Sequence, residues 1–121
     1  MPNLSRIVPG VNQDNTGRTI TYDYQTPVFA ATIAPMLVAS RTTVLIPLTG
    51  ATTFNPSVAQ SYIGDELTVL FGNATAGILV VTTGVNISSI GTLSVSAGKK
   101  GSATFVFDGA SWVETGRAVT V

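Results

Sequence analysis

Asp65-Glu66, Asp108 with Glu114, and the Lys99-Lys100 pair are the side chains whose types and spacing could do chemistry in this 121-residue chain. Paired carboxylates are what glycoside hydrolysis requires, one on either side of the scissile bond. Asp65 and Glu66 are adjacent at the start of a strand, so their side chains point to opposite faces and do not converge on one bond. Asp108 and Glu114 flank an Asp-Gly turn and could approach one another across a hairpin. An Asp before Gly is also what the turn itself demands, because its carboxylate bonds nearby backbone amides. Arg117 lies three residues beyond Glu114 on the same strand, which puts the two on opposite sides and leaves their pairing unassured. Trp112, the only tryptophan, is either a stacking platform for a sugar ring or a cap on the core, packed across the hairpin against Phe105 or Phe107.

The chain has neither cysteine nor histidine. That removes disulfides, Cys nucleophiles, Ser-His and Cys-His triads, and zinc or copper sites built on imidazole or thiolate. The expectation is therefore no enzyme, no cofactor and no metal. "GTLSVSAGKKG" has a superficial likeness to a phosphate loop, but Gly91 and Gly98 are too far apart and Lys100 stands where Ser or Thr would hold magnesium. Six basic and six acidic residues cancel, so no electrostatic footprint points to nucleic acid or an anionic membrane. Lys99-Lys100 fits a solvated loop tip that blunts a sheet edge. "MPNLSRIVPG" lacks the charged region and apolar run of a signal peptide. The most apolar window, "PVFAATIAPMLVA", is shorter than a membrane span and is broken by Pro35. Three triplets, beginning at Asn3, Asn73 and Asn86, match the glycosylation pattern, which short patterns do by chance.

The elements that must position these residues are strands. All six prolines lie within the first 56 residues, so the front is expected to be irregular and the back to be uninterrupted sheet. Residues 1–17 form an extended N-terminal arm and residues 18–121 a single β-domain. The arm is either a solvated tail or a segment that orders across a neighbouring subunit. Leu4, Ile7, Val8 and Val11 favour the second reading, since a solvated tail has no need of them. "RTITYDY" alternates Ile20, Tyr22 and Tyr24 with Thr19, Thr21 and Asp23. "TPVFAATIAPMLVAS" is ambiguous between a strand and a short helix, and Pro47 in "TTVLIPLTG" suggests an edge or a bulge. "DELTVLF" and "TLSVSA" each bury one face, whereas "GILVVTT" has the continuous apolar character of a strand covered on both. "SATFVFD" and "SWVET" form a closing hairpin. Gly77, Gly84, Gly91 and Gly98 recur every seven residues, a spacing kept by Gly109 and Gly116. It indicates strands of about five residues joined by turns with positive φ. The residues between the glycines do not repeat, so a solenoid is not expected. The architecture expected is all-β, a small antiparallel sandwich of jelly-roll type.

Hydrophobic residues make up 45% of the chain and charged residues only 10%, against roughly 25% charged in an average soluble protein. Such a surface is suited to burial against other copies or a larger assembly. The back half, from "YIGDELTVLF" to "FDGASWVETGR", resembles the small β-modules of tailed-bacteriophage virion proteins: capsid decoration or cement proteins, head fibres and trimeric fibre ends. The resemblance implies a homotrimeric structural protein of the particle, made in the host cytoplasm and carried on the capsid surface. Its partners would be its own copies and the major capsid protein, with Leu4, Ile7, Val8 and Val11 as arm contacts. The alternative is a head- or tail-fibre tip that recognises a host receptor or glycan, with Tyr62, Lys99 and Trp112 as surface candidates. A free carbohydrate-binding or glycan-cleaving module is a third class.

Overall fold

A computed structural model describes residues 12–13 and 19–119, which hold twelve strands and no helix. The all-β expectation is met, but the strand path is different from a jelly roll. Three successive coils each lay one strand in either of two sheets. β1 (Asn12–Gln13) and β2 (Thr19–Ile20) form a separate short antiparallel pair ahead of them. The first coil consists of β3 (Tyr22–Gln25) and β4 (Thr32–Ile33), the second of β5 (Arg41–Leu48) and β6 (Thr52–Phe54), the third of β7 (Glu66–Asn73) and β8 (Leu79–Thr83). β3, β5 and β7 stack in parallel in one sheet, and β4, β6 and β8 do the same in the other. This is a short β-solenoid.

The chain then reverses. After β9 (Ile87–Ser88), β10 (Leu93–Val95) runs antiparallel to β8 and β11 (Lys100–Phe107) antiparallel to β7. β12 (Trp112–Val119) returns as the second arm of a hairpin and takes β9 alongside in parallel. The sheets are therefore mixed, with orders β10-β8-β6-β4 and β3-β5-β7-β11-β12-β9. Reversal closes the end of the coil stack with an antiparallel layer. At the other end β3 and β4 are the edge strands of their sheets.

Local sequence explains the strands. In β5 and β7 every second side chain is buried, Thr42, Val44, Ile46 and Leu48 in one and Leu67, Val69, Phe71 and Asn73 in the other. The period of two puts the β-branched and aromatic residues on one face of the pleat. Phe54 lies between the sheets, edge-on to Phe71 at 6.1 Å and tilted against Phe105 at 6.4 Å. Pro47 sits where β5 has run past the last residue paired with β3, so the missing N–H is on a locally open side.

A third, irregular side joins the sheets. From Ala34 to Val38 exposed and buried residues alternate without a ladder, and "TPVFAATIAPMLVAS" is extended, not helical. Coil-to-coil hydrogen bonds continue there: Asn55 N to the Ile33 carbonyl, Ser57 N to Pro35, and Gly84 N to Phe54. Asn86 extends the stitch, its backbone N donating to Asn55 Oδ1 at 2.8 Å and its Nδ2 to the Pro56 carbonyl at 2.9 Å.

Other expectations change in detail. Positive φ occurs at Gly91, Gly98 and Gly109 of the seven-residue series, and also at Gly64 outside it. β5, β7, β11 and β12 are eight residues long, so the series marks corners and not a meander of five-residue strands. In β8 only Val81 is buried, and Ile78 just before it is 67% exposed, so this run is not covered on both sides within one chain.

Thr42 is 3% exposed and its hydroxyl has no hydrogen-bond partner among the described residues. A buried hydroxyl without a partner carries an uncompensated desolvation cost, and Val has nearly the same shape. Thr42→Val is expected to raise stability by about 1 kcal/mol, seen as a melting temperature roughly 4 °C higher.

Candidate functional site

The closing hairpin holds most of the chemistry-bearing residues, and it is a structural joint. At its turn, Asp108 Oδ1 accepts the amides of Ala110 and Ser111 at 2.9 and 2.8 Å, and Gly109 takes φ 102°. Those amides, Ser111 first, hold the Asp108 carboxyl below its usual pKa. Trp112 is 1% exposed, so the surface role is corrected: the indole packs on Phe107 at 5.2 Å and donates Nε1–H to the Ser57 carbonyl at 2.9 Å. It caps the core, as one of its two sequence readings allowed.

Glu114 and Arg117 do pair, contrary to the expectation from strand alternation. The register runs Phe105 to Glu114 but Thr104 to Gly116, leaving Thr115 as an extra residue in a β-bulge. That single insertion brings Glu114 and Arg117 to the same side. Arg117 donates Nε–H and Nη2–H to the two Glu114 oxygens at 2.8 and 2.7 Å, and its guanidinium also bonds the Thr92 and Gly91 carbonyls. The hydrogen bond to Glu114 raises the Arg117 pKa. Glu114 is spent on Arg117 and Asp108 on its own turn, so these carboxylates do not form a hydrolytic pair. Asp65 and Glu66 diverge as expected, the first 2% exposed and the second on the outer face.

Tyr62, 65% exposed, precedes β7, while Lys99 lies half-buried where β7 ends, its carbonyl accepting the Asn73 amide. The length of β7 separates them by roughly 20 Å. Tyr62, Lys99 and Trp112 therefore do not form one recognition surface. Leu4, Ile7, Val8 and Val11 lie outside the described residues. The triplet asparagines at 73 and 86 have their amide nitrogens engaged, Asn73 with the Gly77 and Val95 carbonyls at 2.8 Å and Asn86 with Pro56.

A concave surface does exist elsewhere, on the outer face of the six-stranded sheet beside its β3 edge. It encloses about 410 Å³ between Tyr22, Tyr24, Arg41, Thr43, Glu66 and Thr68, with Asp23 at the margin. Parallel register aligns these residues in two rows, Tyr22–Arg41–Glu66 and Tyr24–Thr43–Thr68. Tyr22 and Tyr24 are 72% and 61% exposed. Arg41 is held in place by donating Nη1–H to the Ser40 carbonyl at 3.0 Å, with Nη2 3.4 Å from Glu66 Oε2. Asp23 is fixed by accepting the Tyr24 amide and the Gln25 side-chain amide at 2.9 and 3.0 Å. The alternation in "RTITYDY" was the sequence signal for the two tyrosines. What it omitted was the solvent-facing side of β3 and the stacking of Arg41 and Glu66 alongside.

Among the described residues no group of three His, Cys, Asp or Glu side chains could hold a metal ion, and no helix is long and apolar enough to cross a membrane. The fold and its surfaces define a small β-solenoid module with a mixed aromatic and polar groove. No protein-family model matches the chain, and no curated protein is similar to it in sequence.

Proposed function

We propose that the protein is a structural subunit of a phage particle, a module that self-associates and fastens to the major capsid protein as decoration or cement. The observation that carries this is the number of large apolar side chains left in water in the segments between strands. Val28, Val85 and Ile90 are 89, 91 and 85% exposed, with Met36, Val38, Ile63 and Ile78 each more than half exposed. With only 10% charged residues, little on this surface opposes burial against another protein. Among the described residues β3 and β4 are edge strands, and an edge offers backbone groups that a neighbouring chain can satisfy. Capsid as partner and trimer as favoured assembly rest on the resemblance of the back half to virion β-modules. The arm, with Leu4, Ile7, Val8 and Val11, is the segment proposed to cross onto the neighbour.

Binding of this kind stabilises a shell by mass action, because a ligand that prefers the intact lattice shifts the equilibrium away from disruption. The purified chain should scatter light with a mass near three times its 12.5 kDa. Added to stripped capsids, it should bind stoichiometrically and raise their disruption temperature. A monomer at micromolar concentration that leaves the shells unchanged rules the proposal out.

A further inference from the structure

We infer that the groove beside β3 is a binding site for neutral sugar rings of a glycan. A pyranose has an apolar C–H face and a rim of hydroxyls, so its recognition calls for an exposed aromatic face next to fixed donors and acceptors. Tyr22 and Tyr24 offer the aromatic part, 72% and 61% exposed on the outer face. They are two residues apart on one strand, hence roughly 6.6 Å from one another, which suits consecutive rings of an oligosaccharide.

The polar part lies one strand further in. Register sets Arg41 beside Tyr22 and Thr43 beside Tyr24, with Glu66 and Thr68 in the next positions across the sheet. A guanidinium and a carboxylate 3.4 Å apart present donors and acceptors at the spacing of vicinal hydroxyls, and the Thr hydroxyls add groups that act as either. Arg41 is already anchored by the Ser40 carbonyl and Asp23 by two amides. These two side chains have little freedom left to lose on binding, which favours affinity in a shallow site.

Charge selects among ligand classes. Arg41 faces Glu66, with Asp23 at the margin, so the groove carries no excess of positive charge. A polyanion such as a nucleic acid or a sulfated glycan gains its affinity from clustered cations, which are missing here. A proline-rich peptide docks in grooves lined by aromatic residues, whereas here the tyrosines form one row and the next two strands present polar groups that match ring hydroxyls. The inference stands independently of the capsid proposal, since the groove is formed by β3, β5 and β7 of a single chain.

The test is a titration of the isotopically labelled full chain with cellohexaose, maltohexaose and chitohexaose, followed by backbone amide shifts. A heparin hexasaccharide and a proline-rich peptide serve as the charged and protein alternatives. At least one neutral hexaose should shift the amides of residues 22–25 and 41–43. The double variant Tyr22→Ala, Tyr24→Ala should lose tenfold or more in affinity with its melting temperature retained, whereas Tyr62→Ala should bind as the parent does. The inference is overturned if none of the three hexaoses moves these amides. It is overturned equally if the double variant binds undiminished, or if only heparin or the peptide binds. Addition to capsids is read separately, so loss of one activity leaves the other to be judged by its own assay.

Discussion

Trp112→Ala lowers the unfolding free energy by about 3–5 kcal/mol, the range for removing a buried aromatic ring. Two side-chain attachments are lost and one main-chain contact is kept. The indole is 1% exposed and tilted 50° against Phe107, so its removal opens a cavity between the closing hairpin and the irregular side. Its Nε1–H satisfies the Ser57 carbonyl, which the alanine variant leaves without that donor. Its backbone N–H donates to the Asn86 carbonyl at 2.8 Å, a main-chain bond that alanine retains. A domain of this size has about 5–15 kcal/mol in all, so the variant loses a large fraction of its stability. Urea unfolding followed by circular dichroism measures it, since the fluorescence probe is itself deleted. Trp112→Phe should recover most of the packing but not the Ser57 hydrogen bond, and so fall between the two. A loss under about 1 kcal/mol would match a solvent-facing indole and contradict the capping role.

Gly84→Ala is the second large effect, expected at about 1–3 kcal/mol or more from overpacking. A Cβ at this position would stand 2.4 Å from Asn55 Cβ and 2.5 Å from both Asn55 Cγ and Oδ1. No flexible chain end is available to move aside, because the nearest atom is the Cβ itself. Asn55 is also engaged, its Oδ1 accepting the Asn86 amide, while Gly84 N donates to the Phe54 carbonyl. The methyl therefore pushes apart two coils at the point where they are stitched. Asn55→Gly in the same chain should return part of the lost stability, giving a coupling energy that identifies the clash as the cause. Gly77→Ala is the control: no atom lies within 4 Å of its added Cβ, and thermal melting should move by no more than about 0.5 kcal/mol equivalent. Equal destabilisation at both positions would place the cost in backbone conformation instead of contact.

The same contrast explains what could be read in advance. Leu67, Val69 and Phe71 announced their buried face because alternation is a property of one strand and needs no neighbour. The Asp108-Gly109 turn was equally local, its hydrogen bonds closing within three residues. The Glu114–Arg117 pair was lost to the bulge at Thr115, one residue that reverses the face of everything after it. The groove was half legible: Tyr22 and Tyr24 declared a common face, but Arg41 and Glu66 join them only through parallel stacking of distant segments.

Composition and pattern determined that this chain is built of strands, that it lacks imidazole and thiol chemistry, and that its surface is poor in charge. All three follow from residue types and short-range sterics. Tertiary structure alone decided the solenoid path. The spacing from Tyr22 to Arg41 differs from that between Arg41 and Glu66, so coils of unequal length stack without a repeat in the sequence. Their register is set by which buried faces meet across the core, and that is a non-local choice.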